Sequence, residues 1–539
     1  MRPVLWSITV QALDNIRMNS VHCHIFMIMK SVSLQSICAA IKLFWPAIPM
    51  SAMLFCINGC SSLSRSPEKP NIVFILADDL GWADLPVYGN AFNESPNLEK
   101  LAGEGMTFTQ AYAACPVCSP TRASIQTGQY PARTGIIDFI PGLWRPYEMV
   151  TAVQNRTQYL PLAYQTIGEA MKEAGYATGY FGKWHLGHTP VNYPDRQGYE
   201  ESVVYLNGGY YDYADKTYPP INVAPGTYLS VALTDLGLDF IERNKDRPFF
   251  LFLAHYDVHI LLDADNALIG KYLKKEKVRD YPCNAVYAAM IEHLDNSVGR
   301  IMDKLEELGL SENTVVVFFS DNGGLIKQFD ERPILADSKL AVYEGDTLEY
   351  VVSSNAPLRS EKGTVYEGGI RDPLIVRWPG KILPGSTTDD PVSSIDFFPT
   401  LVEMAGGNLP ASQEMDGRSM LQVLTGGSHD PDRALFWHYP VYHHSVPASA
   451  VRKGDWKLIQ FLDDEHLELY NLDQDIGEST NLAATFPEKA GEMLELLKNW
   501  RTKVGADMPE LNPDFNTARR WEWGPHPGIQ ATLRGETEK

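Results

Sequence analysis

A chain of 539 residues, 44% hydrophobic and 21% charged, is long enough to bury a sizeable core without disulfide staples and has the balance of a soluble globular protein. That composition excludes wholesale disorder and a polytopic membrane protein, and a formal net charge of −21 excludes nonspecific nucleic-acid binding, which needs clustered Lys and Arg. Any anionic ligand must be drawn in by a local basic pocket.

Residues 1–60 read as an export segment, with residues 1–28 an over-called start because Met29-Lys30 opens a more conventional signal. The apolar run Leu43 to Cys60 is the secretory signal, and Ile57-Asn58-Gly59-Cys60 resembles a bacterial lipoprotein cleavage site. The expectation is an exported protein, periplasmic or at the cell surface, anchored to the membrane through a lipidated Cys60. Residues 61–70 form a polar tether. The apolar, β-branched run Ile72–Ala77 is then a strand buried on both faces, and it ends at Asp78-Asp79. Phe249–Ala254 is a second such strand, ending at His255-Tyr256-Asp257-Val258-His259, and Thr314–Phe319 a third, ending at Ser320-Asp321-Asn322-Gly323. In open α/β sheets ligands gather at that end of the strands. Helical patterns such as Tyr287 to Leu308 lie between them, so residues 71–425 form one large α/β domain. Beyond Thr425 the alternating segments 448–452, 456–461 and 467–471, followed by a helix from Pro487 to Val504, predict a C-terminal subdomain over 426–505. The tail, 506–539, is rich in Pro, Trp and Arg and suggests no function.

Asp78, Asp79, Asp321 and Asn322 are hard oxygen donors of the kind that Ca²⁺ or Mg²⁺ takes, although each pair alone is equally a turn or a helix cap. Cys115-Pro116-Val117-Cys118 is formally a redox pair or half of a zinc site. A second CxxC is missing, and Cys283 is the only other cysteine after Cys60. No disulfide framework follows.

The segment Cys118-Ser119-Pro120-Thr121-Arg122, with Thr127-Gly128 downstream, resembles the signature of the type I sulfatases. Gly182-Lys183-Trp184-His185-Leu186-Gly187 is similar to a second motif of that family. Ala356 to Gly363, continuing to Arg371, is similar to a third, and the resemblance extends from about Asn71 to Leu482. It implies an alkaline-phosphatase-like α/β fold: a large mixed sheet flanked by helices, with a smaller C-terminal antiparallel-sheet subdomain. It implies that Cys118 is oxidised by a formylglycine-generating maturation enzyme to formylglycine, the nucleophile. A divalent cation, Ca²⁺ before Mg²⁺, is held by Asp78, Asp79, Asp321, Asn322 and the modified Cys118. Arg122 holds the modified residue, Lys183 and Lys362 contact sulfate oxygens, His185 takes a proton from the nucleophile, and His259 protonates the leaving oxygen. His255 and Arg371 are candidate substrate contacts. The family form continues from the second histidine into Thr-Pro, whereas Ile260-Leu261 follow here; this departure and the insertion Ile326–Asn355 are expected to shape the pocket. The implied function is hydrolysis of sulfate esters on a sulfated oligo- or polysaccharide. The alternatives are a phosphate or phosphonate monoester hydrolase of related core, and a carbohydrate-binding relic whose Cys118 stays a thiol.

Overall fold

Strand β1, Asn71–Ala77, is buried at every residue, as a continuous apolar run demands when helices cover both faces of its sheet. The computed structural model describes residues 69–524 apart from 152, 154–155, 329–331, 429 and 431. The export segment with Cys60, most of the tether and the end of the tail therefore lie outside the described residues.

The other strands of the large sheet are β2 (Met106–Tyr112), β3 (Ala177–Lys183), β4 (Glu201–Tyr205), β5 (Thr217–Tyr218), β6 (Phe249–Ala254), β7 (Thr314–Ser320), β8 (Arg371–Arg377), β9 (Ser386–Thr388) and β10 (Val392–Ser393). They lie side by side in the order β10-β2-β8-β7-β1-β6-β3-β4-β5, with β9 also on β2. Strands β7, β1, β6 and β3 run parallel, so their C-terminal ends share one edge. Register pairs Ala77 with Ser320 and both Leu76 and Gly182 with Ala254, which starts the loops carrying Asp78, Lys183, His255 and Asp321 next to one another. Antiparallel β8 and β2 make the sheet mixed.

Alternate residues of β1 feed two cores. Val73, Ile75 and Ala77 pack with the helices Leu229–Asn244 and Ala285–Glu307, while Ile72, Phe74 and Leu76 pack with Cys118–Thr127, Ile167–Glu173 and Phe397–Met404. The helix expected from Tyr287 begins at Ala285 because Asn284 caps it, accepting from the N–H groups of Val286 and Tyr287.

The C-terminal sheet runs antiparallel in the order β11 (Ala434–Tyr439), β12 (Ala448–Lys453), β13 (Trp456–Phe461), β14 (Leu467–Asn471), and the helix Pro487–Val504 covers one face. Its edge strand β11 has no counterpart in the sequence expectation. The sheet shares a core with the large domain, Trp437 meeting Tyr112 edge-on at 5.4 Å between ring centres. Among the described residues no helix is long and apolar enough to cross a membrane.

Candidate active site

Asp78 and Asp79 leave the end of β1 in different directions. Asp79 adopts a left-handed backbone (φ 63°), a conformation that costs a non-glycine residue about 1–3 kcal/mol. Its carboxylate thereby receives the Lys362 ammonium at 2.7 Å and the Asn322 amide at 2.8 Å, while its N–H donates to Asp321. Cys118 is the first residue of the helix Cys118–Thr127, and its Sγ stands with carboxylate oxygens of Asp78 and Asp321 in one group whose atoms lie within 4.8 Å of each other. One turn further on, Arg122 donates to Asp321 at 2.8 Å and to the Lys183 carbonyl at 2.6 Å, tying the helix to the ends of β7 and β3.

Three oxygens in this cluster are buried and accept no hydrogen bond: both of Asp78 and Oδ1 of Asn322. The Lys183 ammonium nevertheless stands 2.5 Å from Asp78 Oδ2. Buried acceptors are rarely left this way, and hard oxygens from carboxylates and an amide are the donor set of a hard divalent cation. The electrostatics agree. Burial opposes ionisation of Asp78 and Asp79, but Lys183 beside the one and Lys362 beside the other hold both carboxyls below their ordinary values. Asp321 is pushed up to about 8 by burial and then by repulsion from Asp78, so the protein's own cations leave it short of full ionisation at neutral pH. The residues present fit such a cation.

Lys183 reaches the cluster because Gly182 lets β3 approach β6 closely. A Cβ at Gly182 would lie 1.8 Å from the Ala254 carbonyl oxygen, and φ there is +123°. Burial would discharge Lys183 and Lys362, but the acids around them, Asp78 foremost for the one and Asp79 foremost for the other, together outweigh it and keep both ammoniums charged. His185 places Nδ1 3.2 Å from Cys118 Sγ, while its Nε2 meets the Ile140 carbonyl. A carbonyl only accepts, so Nε2 carries the proton and Nδ1 offers its lone pair to Cys118. Burial, then Lys183, brings its pKa down to about 3, so the ring is neutral. His259 is arranged the other way round. Its Nδ1 donates to the Ile260 carbonyl, and Nε2 lies 3.6 Å from Asp79 Oδ2. Burial brings it down to about 4, with Lys362 and Lys183 adding to the effect and Asp79 resisting.

Cys118, Lys183, His185, His259 and Lys362 all line one cavity of about 500 Å³. Phe139, Ile140, Tyr205, Tyr256 and His443 line it too, and the sequence reading gives none of them a place in the site. Two expected contacts are corrected. His255 points to the opposite face of the sheet, where its Nε2 meets Ser297 Oγ at 2.8 Å on the helix Ala285–Glu307. Side chains alternate along β6, with Leu251 and Leu253 on that face, so the residue after Ala254 must follow them. Arg371 is buried in a pair with Glu367 (2.7 Å) and Tyr112 (2.9 Å), away from the cavity. The insertion is corrected as well: none of the described residues of 326–355 lines the cavity, and Ser353 is hydrogen-bonded to the buried Asp84. Cys115 is a buried free thiol, raised well above its ordinary pKa by burial, and so a neighbour of Cys118 with no bond to it.

Residues 70–407, well over half of the chain, match the family model described as Sulfatase. The chain belongs to the sulfatase family. Residues 360–503 of this sulfatase match a second model, N-sulphoglucosamine sulphohydrolase, C-terminal. A sulfatase of Formosa agariphila is 35% identical, with 87% of this chain and 94% of the relative covered. The N-acetylgalactosamine-6-sulfatase of Canis lupus familiaris is 33% identical over 73% of this chain and 72% of its own. Among solved structures, Ps i-CgsB in complex with k-i-k-neocarrahexaose is 26% identical, with a TM-score of 0.67 over 87% of this chain and 98% of that one. This sulfatase is a hydrolase of sulfate esters, and the expected fold, a large mixed sheet with helices and a small antiparallel sheet, is present.

Proposed function

We propose that this sulfatase is exported and removes sulfate from a sulfated oligo- or polysaccharide, with Cys118 converted to formylglycine and a divalent cation, Ca²⁺ before Mg²⁺, bound by Asp78, Asp79, Asp321 and Asn322. The observation that carries the reading is the meeting of Cys118, two charged lysines and two neutral histidines on one cavity, backed by the buried carboxylates of Asp78, Asp79 and Asp321. The carbohydrate substrate is supported by relatives whose names specify a sulfated amino sugar and a neocarrahexaose complex. Export rests on the apolar run Leu43 to Cys60, and anchoring to the membrane on Cys60.

Formylglycine at position 118 would supply a nucleophilic oxygen, and a cation held by Asp78, Asp79, Asp321 and Asn322 would supply positive charge beside it. The chain's own side chains do the rest. Lys183 and Lys362, held by Asp78 and Asp79, present two ammoniums to the sulfate oxygens and balance charge as it develops there. Arg122 fixes the helix start that carries residue 118. His185, its tautomer set by the Ile140 carbonyl, has Nδ1 placed to take a proton from the residue-118 side chain. His259 directs Nε2 toward the cavity; the bound ester's negative charge favours uptake of a solvent proton on that nitrogen, against the burial and the two lysines that keep the ring neutral at rest, and Nε2 then passes this proton to the leaving alcohol oxygen.

The test is release of sulfate and phosphate from matched esters, followed by a panel of sulfated oligosaccharides. Sulfate release is expected to be the faster, with activity on the oligosaccharides. Faster phosphate release, or none from any sulfated sugar, overturns the reading.

A further inference from the structure

The residues after 503 fall outside both family matches, yet the tail is built into the molecule. It lies along the loop 144–151: the N–H of Thr151 donates to Glu510 at 2.7 Å, that of Asn512 to Met149 at 3.0 Å and that of Gly524 to Trp144 at 2.8 Å. That loop continues from Phe139, Ile140 and Pro141, which wall the cavity. The side chains on this seam form an unusual group. The Arg145 guanidinium lies 4.2 Å from the Trp523 ring centre and 5.3 Å from that of Trp521. It pairs with Glu148 at 3.3 Å, and Arg520 pairs with the same carboxylate at 3.1 Å. Two guanidiniums thus share one carboxylate, which leaves one positive charge in excess on a chain of net charge −21. Arg145 Nε is buried and donates no hydrogen bond. Trp521 is 66% exposed even with the Arg520 guanidinium 4.9 Å from its ring centre, and Arg520 is 28% and Arg145 12% exposed, so the ring faces solvent and Arg520 carries most of the exposed charge. The loop that carries the group adjoins the cavity wall: Arg145 follows the lining residue Pro141 closely in the chain, and the Val150 N–H donates at 3.2 Å to the hydroxyl of Tyr442, the neighbour of the lining residue His443.

We propose that Arg145 and Arg520, held in place by Trp523 and Glu148, form a second anion subsite that binds a sulfate or carboxylate on a neighbouring sugar of the same glycan, whose ring stacks on Trp521. The inference rests on the carbohydrate reading above. A planar guanidinium pairs with a sulfate through parallel N–H donors, and an indole face offers an apolar platform to a sugar. The site also answers the repulsion that a strongly acidic protein exerts on an anionic polymer. It makes the enzyme selective for glycans bearing more than one anionic group.

The experiment is calorimetric titration of the full chain carrying Cys118→Ala with a polysulfated carrageenan hexasaccharide and with its monosulfated counterpart, then the same with Arg145→Gln or Trp521→Ala added. The exposed Trp521 can be removed without touching the core, which guards against an unfolded Arg145 variant. Arg145→Gln is expected to raise Kd about tenfold for the polysulfated ligand and much less for the monosulfated one, while Trp521→Ala, which removes the stacking platform, weakens both. Equal weakening of both ligands by Arg145→Gln, or no weakening by either substitution, overturns the subsite. Failure of the underlying reading registers separately, as wild-type enzyme that releases sulfate from an aryl ester and from no sugar.

Discussion

The two cavity histidines have opposite tautomers, and this divides their work. His185 carries its proton on Nε2, against Ile140, and turns an acceptor to Cys118; His259 carries its proton on Nδ1, against Ile260, and turns Nε2 to the cavity. A group that protonates a leaving oxygen matters most when that oxygen is basic. His259→Ala is therefore expected to lower kcat about 10²- to 10⁴-fold on a sugar sulfate and far less on nitrophenyl sulfate, whose leaving group needs no proton. Comparing kcat for the two substrates checks this, and an equal loss on both contradicts the assignment. Neighbouring residues also show how far a motif can mislead. The motif brings both His255 and His259 to the end of one strand, but one is locked against Ser297 and the other opens to the cavity.

At the scale of elements, the site exists because four parallel strands end together and β3 can lie close to β6. Gly182→Ala sets a methyl 1.8 Å from the Ala254 carbonyl oxygen in a backbone of φ +123°, so β3 must move and carry Lys183 with it. Stability is expected to fall by more than about 4 kcal/mol. Gly175→Ala, also at positive φ but with open space around it, should cost about 1 kcal/mol. Urea midpoints of the two variants check the contrast, and similar losses contradict it. Much of this architecture was legible in the sequence. The runs Ile72–Ala77, Phe249–Ala254 and Thr314–Phe319 are unbroken and end in acids or histidines, and the helix Pro487–Val504 has the predicted ends. The rest depended on partners distant in sequence. Arg371 reads as a substrate contact until Tyr112 is seen against it. The cavity walls Phe139, Ile140 and His443 come from loops without periodicity, and β11 is a dense apolar run with little polar alternation to mark it.

At the scale of the whole molecule, the C-terminal sheet, the tail and the catalytic domain form one continuous packing. His438 on β11 joins two of them, pairing with Ser449 Oγ at 2.7 Å and with the Asp507 carbonyl of the tail at 2.8 Å. Burial, reinforced by Arg501 and opposed by the Asp507 carbonyl, lowers its pKa from 6.5 to about 4. The folded chain thus refuses a proton that the unfolded chain accepts, and the stability this ring contributes is fully present above pH 6.5 and is lost as pH falls toward about 4. The loss amounts to about 3 kcal/mol. His438→Gln should flatten the pH dependence of the urea midpoint over that range, and an unaltered slope contradicts this. The central claim is that the thiol of Cys118 is a precursor of the group that attacks sulfate esters. The most direct measurement is the mass of the peptide carrying Cys118, taken from enzyme that releases sulfate. The account predicts a peptide lighter than the thiol form, as the aldehyde requires; a preparation active on sulfate esters in which that peptide is entirely thiol contradicts it.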